Sequence, residues 1–218
     1  MHLAEIWRYP VKSMAGESLA SVRLGRDGVA GDRRVQVRVG DMDSEAGERI
    51  VTARSRPQLL GHRATLGPDG EPLVDGRPWR AASVAADVER AAGAGARLEL
   101  SDEVQLRYDI LPLLVATDGA IDSLGLDRRR FRPNLLLGGA LGLAERSWEG
   151  RRLRIGEAVI ALADLRGRCV MTTFDPDTLE QDPKVLRTIV QRLGGVLGLN
   201  AEVARGGVVR VGDPVELL

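Results

Sequence analysis

The chain has 218 residues, 44% hydrophobic and only 3% aromatic, and its 31 basic residues are balanced by 31 acidic ones. That length supports one large domain or two small intertwined ones with a real core. A core poor in aromatics must rest on Val, Leu, Ile and Ala, which suits β-rich packing. Zero net charge removes the basic face that a general nucleic-acid or anionic-membrane binder requires.

Lys12 and Lys184 are the only lysines, so nearly all the positive charge is arginine. The single cysteine, Cys169, excludes an intrachain disulfide, and with only His2 and His62 it leaves too few ligands for an ordinary Cys/His zinc site. The first ten residues lack the basic start and apolar run of a signal peptide. The most apolar stretch, Leu135 to Ala144, is about half the ~20 residues a membrane helix requires and is interrupted by Gly138, Gly139 and Gly142. A cytoplasmic protein with no membrane and no nucleic-acid partner is expected.

Leu3 to Val11 reads as a strand whose end is set by Pro10, which lacks a ladder N–H. Lys12 and Ser13 fall just beyond it. Val35, Val37 and Val39 alternate with Gln36 and Arg38, the period of a half-buried strand. Gly40 to Glu48 follows as a loop, with Ile50 to Ala53 as the hairpin partner. Arg63 to Leu66 and Pro72 to Trp79 offer further short strands around Pro68-Asp69-Gly70 and Asp75-Gly76. His62 falls in that probable strand region.

Ala81 to Gly95 has a short helical pattern and is expected to connect the two halves. Asp118 to Leu124 suits a short helix capped by Thr117 or Asp118. Leu135 to Leu137 and Ala158 to Ala163 read as buried strands. The clearest helix spans Pro183 to Leu193, with Asp182 as its cap, Pro183 in the first turn, and Val185, Leu186, Ile189, Val190 and Leu193 as one apolar stripe. Gly194-Gly195 ends it, and strands return around Gly206-Gly207 and Gly212-Asp213-Pro214. The fold class expected is mainly β with α decoration (α+β), a β-barrel architecture. The division expected is an N-terminal β-barrel region, 1–83, and a second domain, 97–218.

Cys169 lies in Arg166-Gly167-Arg168-Cys169, and a thiolate there could bind a soft metal. Taken alone, free cysteine is more often inert packing. Arg33 and Arg132 alone read as solvated charges, and Asp118 as a cap. Neither Gly194-Gly195 nor Gly206-Gly207 has phosphate-loop spacing, so both read as turns.

A wider pattern connects these residues. Tyr9-Pro10-Val11-Lys12-Ser13, Gly31-Asp32-Arg33, and Val51-Thr52-Ala53-Arg54 with Pro57-Gln58-Leu59 stand in order in the first half. Phe131-Arg132-Pro133-Asn134, Arg168-Cys169 with Thr172-Thr173 and Asp175-Pro176-Asp177-Thr178, and Arg210-Val211-Gly212-Asp213-Pro214-Val215 stand in order in the second. Together they resemble the molybdenum-cofactor sulfurase C-terminal domain (MOSC) family, with its N-terminal β-barrel half, over nearly the whole chain. Within it the amidoxime-reducing component group is the most similar.

The resemblance implies a molybdenum–pterin cofactor of the molybdopterin type, with Cys169 as metal ligand and catalytic residue. It implies Lys12, Ser13 and Arg33 gripping the anionic end of the cofactor, and Asp118, Arg132 and Asn134 contacting the pterin, with Pro133 keeping Arg132 extended. Pyridoxal phosphate is not expected. The implied reaction is reduction of small N-hydroxylated substrates to amines, a molybdenum-dependent oxidoreductase activity. Two electrons would come from a separate donor protein of flavoprotein, ferredoxin or cytochrome type. The alternative is a carrier that holds cofactor, or sulfur as a Cys169 persulfide, for transfer. Three positions depart from the family pattern: Ala120 where serine is common, Gly167 where proline is common, and Leu179 where glycine is common.

Overall fold

A computed structural model describes residues 1–40, 47–101 and 103–218. Residues 41–46 of the loop expected between Gly40 and Glu48 lie outside the described residues. The protein is mainly β, as the sequence predicts, and its largest sheet has eight strands.

In spatial order that sheet runs Val215–Leu217, Arg152–Ile155, Ala158–Gly167, Val196–Arg205, Leu113–Thr117, Leu135–Gly138, His2–Arg8 and Glu17–Leu19. Only the pairing of Leu113–Thr117 with Leu135–Gly138 is parallel. The sheet curls on itself. His2 bridges Pro214, Leu3 N–H donates to Asp213 O at 2.9 Å, and Gly212 N–H donates to Leu3 O at 2.8 Å, so the first strand meets the last. Closing the ring removes the unpaired edges of an open sheet. Its interior is aliphatic: Leu3, Ile6, Leu113, Leu135, Leu153, Ile160 and Leu199 pack in one buried cluster.

Strand Val35–Val39 pairs with both Arg49–Val51 and Arg97–Leu100. The hairpin partner predicted from Ile50 is therefore present, one residue earlier. The alternation expected of a half-buried strand is not observed, because Gln36 is fully buried. An ion-pair lattice covers that region, in which Arg38 and Arg97 both bind Glu48 and Glu99. The helix Ala82–Ala92 is more than a connection. Val84, Val88, Ala91 and Ala92 pack with Val11, Met14, Val35 and Val37 in the N-terminal core. Ala64–Leu66, Pro72–Val74 and Arg77–Pro78 form the short strands expected there. His62 is not in a strand; it follows the 3-10 turn Pro57–Gly61 and its Nδ1 lies 2.8 Å from Asp75.

The helix Pro183–Leu193 has the bounds the sequence predicts. Asp182 accepts from Lys184 N–H at 2.9 Å, and Gly194 ends the helix in the left-handed conformation at φ 66°. Its buried stripe is narrower than the apolar residues suggest. Val185, Ile189 and Leu193 are buried, while Val190 is 53% exposed. At 3.6 residues per turn Val190 lies about 100° from the centre of that stripe. The buried face packs on Phe131, Ile121 and Leu136 in a third core cluster.

Candidate functional site

Between the barrel and the N-terminal sheets lies a cleft of about 340 Å³. The first strand delivers one wall. After Arg8 the chain leaves the sheet, and Tyr9 to Ser13 runs beside Asp32 to Val35. Arg33 N–H donates to Tyr9 O and Lys12 N–H to Val35 O, both at 2.8 Å. Tyr9 N–H donates to Asp32 Oδ1 at 2.6 Å. Gly16 lets the chain return closely, since a Cβ there would lie 2.2 Å from Arg8 O and 2.5 Å from the Tyr9 ring.

Three of the expected residues share an unusual conformation. Ser13, Arg33 and Arg132 line the cleft at φ 75°, 48° and 54°. Left-handed backbone at non-glycine residues costs free energy and persists where surrounding contacts hold it. Those contacts are visible. Ser13 Oγ accepts from Ala53 N–H at 3.0 Å. Arg132 donates to Met14 O at 2.7 Å and lies 4.3 Å above the Tyr9 ring, with Arg33 5.5 Å from the same ring. The extended conformation expected of Arg132 before Pro133 is therefore not found. The left-handed residue turns the chain from the 3-10 turn Arg128–Arg130 into strand Leu135–Gly138.

Asn134 does not line the cleft; it is fully buried behind it. Its Nδ2 donates to Asp32 Oδ2 at 3.2 Å and to Trp7 O at 3.3 Å, while Oδ1 accepts from Leu114 N–H at 3.1 Å and from Arg33 at 3.4 Å. It holds Asp32 and Arg33 in place. Burial pushes the Asp32 carboxyl above the usual carboxylate range, opposed by the adjacent Arg33.

Asp118 is also absent from the cleft lining. It opens the short helix Asp118–Asp122, capped by Thr117, and its carboxylate accepts from Gly119 N–H and Gly139 N–H at 2.7 Å and Ala140 N–H at 3.1 Å. The two bonds from Gly139 and Ala140 fasten the loop after strand Leu135–Gly138. Ala120, on the same helix, is buried outside the cleft lining, so its lack of a hydroxyl removes nothing there.

Cys169 does line the cleft, half-buried at the start of the 3-10 turn Val170–Thr173. Strand Ala158–Gly167 carries the chain to it, and Thr172 N–H and Oγ1 both donate to its carbonyl, at 3.0 and 2.9 Å. Beside it Arg168 is half-buried, donates to Phe131 O at 2.7 Å, and retains a buried Nε–H without a partner. Burial pulls its guanidinium down to about 10, helped by Arg166.

Four cations not singled out as site residues from the sequence complete the lining: Arg54, Arg130, Arg166 and Arg168. With Lys12, Arg33 and Arg132 they make seven, against one carboxylate, Asp109, among the described lining residues. Lys12 lies 3.2 Å, Arg54 2.8 Å and Arg166 3.2 Å from Asp109. Burial alone would raise its carboxyl, but Lys12 and Arg54 hold it below the usual range. Burial lowers the Lys12 ammonium, with Asp109 opposing. The sequence signal for Asp109 is thin: an acid just before Ile110-Leu111-Pro112 and the central strand Leu113–Thr117, whose apolar run shows no period.

Such a cleft can bind a multiply charged anion and present a thiol to it. Among the described residues no group of three or more His, Cys, Asp or Glu could hold a metal alone. A metal at Cys169 would therefore need further ligands carried by a cofactor. No helix among the described residues is long and apolar enough to cross a membrane.

The chain is similar to mitochondrial amidoxime reducing component 2 of Macaca fascicularis, 25% identical across 98% of this chain and 82% of that protein. It is 31% identical to mitochondrial amidoxime reducing component 2 of Homo sapiens across 53% of this chain. It is 34% identical to mitochondrial amidoxime-reducing component 1 of Mus musculus across 52% of this chain. In these two alignments the chain spans 40% and 39% of the relatives' length. The crystal structure of the YuaD protein from Bacillus subtilis shares the fold, with a TM-score of 0.53 over 99% of this chain and 94% of that one at 13% identity. The MOSC N-terminal beta barrel domain matches residues 1–97 and the MOSC domain matches residues 114–216, so the chain belongs to the MOSC family.

Proposed function

We propose that the cleft holds a molybdenum–pterin cofactor with Cys169 as the protein's ligand to the metal, and that the chain reduces N-hydroxylated compounds to amines. The observation that carries this reading is the convergence of one reachable thiol with seven cationic side chains in a single cleft of about 340 Å³. That volume falls in the usual range for small-molecule sites.

The residues present fit the group. A pterin bearing a phosphate and a dithiolene needs a cationic grip, hydrogen-bond partners for its ring and a soft metal ligand from the protein. Lys12, Arg33, Arg54 and Arg166 would grip the phosphate, and Arg168 has a buried Nε–H left to donate. Asp109 would accept from pterin N–H groups, the role first expected of Asp118, whose carboxylate is used by the Gly139–Ala140 loop. Ser13 and Arg132 would contact the cofactor directly, while Asn134 would act through Arg33 and Asp32.

When bound, the cofactor supplies the two-electron chemistry. The overall change converts R–NHOH, two electrons and two protons to R–NH₂ and water, with the electrons drawn from a separate donor protein. The chain's own contribution is to bind, orient and set the field of the cleft.

The deciding experiment is the molybdenum and oxidised-pterin content of protein from a cofactor-competent host, wild type beside Cys169→Ser. Near-stoichiometric metal in the wild type, lost in the variant with the fold retained by circular dichroism, is expected. Wild-type protein that acquires neither metal nor pterin would break the reading.

A further inference from the structure

Next to the cleft is a second chamber of about 330 Å³ that differs from it in character. Its walls are Trp7, Tyr9, Leu60, Met171, Phe174 and Pro176. In a chain with only 3% aromatic residues, three aromatics meet here. The Trp7 and Tyr9 rings stack at 6.5 Å with an interplanar angle of 16°. The two chambers have Arg130, Arg132 and Met171 in common, and Met171 is two residues beyond Cys169 on the same turn. Three long side chains thus form the partition, and of these the unbranched Met171 thioether adapts readily to a new neighbour.

The charges around the second chamber do not cancel. Asp177 is its only carboxylate among the described lining residues, and Arg129 holds it in a two-point pair at 2.7 and 2.7 Å. Arg130 pairs with Asp175 at 2.8 Å, outside the lining. Arg132 has a carbonyl and an aromatic ring as partners, and the exposed Arg63 makes no side-chain hydrogen bond or ion pair among the described residues. Two guanidiniums therefore remain without a carboxylate beside a flat, apolar wall. Aromatic faces take a planar ring by stacking, and a guanidinium takes a carboxylate or similar anion through its planar fork.

We infer that this second chamber binds the substrate's body, and that the substrate is a planar aromatic molecule carrying an anionic group. The ring lies against Trp7 and Phe174, the anion meets Arg63, and the reducible end passes Met171 toward Cys169. The assignment of the occupant as substrate rests on the proposed N–O reductase reading, but the chamber's ligand preference can be measured without turnover.

The test is a titration with sodium benzoate, and with benzamidine as its cationic counterpart of the same shape, followed by tryptophan fluorescence and ligand-observed NMR. Both cofactor-free and cofactor-loaded protein are used. Saturable benzoate binding is expected, with the fluorescence response lost in Trp7→Phe while the NMR response remains. Benzamidine should bind about tenfold more weakly, and Arg63→Ala, an exposed change that leaves the fold intact, should weaken benzoate about tenfold, the scale of one charge-assisted hydrogen bond. Phe174→Ala should weaken both probes alike. Equal affinity for the two probes, or benzoate binding unchanged in Arg63→Ala and Phe174→Ala, overturns the inference. Loss of benzoate binding on cofactor loading also overturns it, because the chamber would then belong to the cofactor. Absence of N–O reductase activity with these binding results intact would instead break the proposed function alone.

Discussion

The same residue type does different work in two regions of this molecule. On the N-terminal sheet, Arg38 and Arg97 are matched to Glu48 and Glu99 in a closed ion-pair lattice. In the cleft, seven cations face one carboxylate. The chain as a whole is neutral, so the cleft's excess is a matter of placement, not composition. A matched lattice stabilises the fold modestly. In the cleft Arg33 and Arg130 draw on Asp32 and Asp175 outside the lining, and Lys12, Arg54 and Arg166 share Asp109. Arg132 and Arg168 have no carboxylate partner among the described residues, an excess of positive charge that costs free energy until an anion arrives. The comparison teaches that the cleft concentrates positive charge that an anion would relieve.

The largest expected effect that would sharpen this contrast is at Asp109. Asp109→Ala leaves Lys12, Arg54 and Arg166 without their shared acceptor and should destabilise the cofactor-free protein by about 1–3 kcal/mol in denaturant unfolding. Added phosphate or sulfate should restore part of that loss by binding the freed cations. Destabilisation that millimolar phosphate does not relieve would break the idea that the cluster awaits an anion.

An intermediate effect belongs to Glu145, a carboxylate with no cation matched to it in its hydrogen bonds. It is 2% exposed, accepts from Gly198 N–H at 3.0 Å and is hydrogen-bonded by the Thr117 hydroxyl. Burial raises its carboxyl above the usual value, with Thr117 and Gly198 opposing. The native state therefore keeps its proton at pH values where the unfolded chain has lost it. Its contribution to stability is fully present below the ordinary glutamate value of about 4.3 and declines as pH rises through the raised native value. Glu145→Gln should flatten that decline in unfolding experiments across pH 4–8, and an unchanged slope would show that the group titrates normally.

The smallest effect lies on the barrel surface, where Arg154 pairs with Glu216. Both are about half exposed, so Arg154→Ala should change stability by less than about 0.5 kcal/mol. A loss there as large as that of Asp109→Ala would erase the distinction between an exposed one-to-one ion pair and an acceptor shared by three cations.

The sequence was most legible where local rules agree with the fold. Asp182, Pro183 and Gly194 mark both ends of one helix, because capping and glycine's left-handed freedom act within a few residues. Leu179, where the family pattern leads to an expectation of glycine, adopts φ 61°. The strand Leu113–Thr117 was missed although it lies between two others in the barrel sheet, since a continuous apolar run has no period to read.

For the site, the ordered motifs and the family resemblance they carry marked Lys12, Ser13, Arg33, Arg132 and Cys169, which tertiary folding brings to one cleft. They were not enough to separate Asp118, whose carboxylate serves the Gly139–Ala140 loop, from Asp109, which sits among three cations. The sequence by itself determined the β-rich class, the helix ends and the family, because these depend on local spacing and ordered motifs. Only the tertiary structure decided which charges go unpaired, which carboxylate faces the cleft and where the second chamber opens, because Coulomb energy and burial depend on distances between residues far apart in the chain.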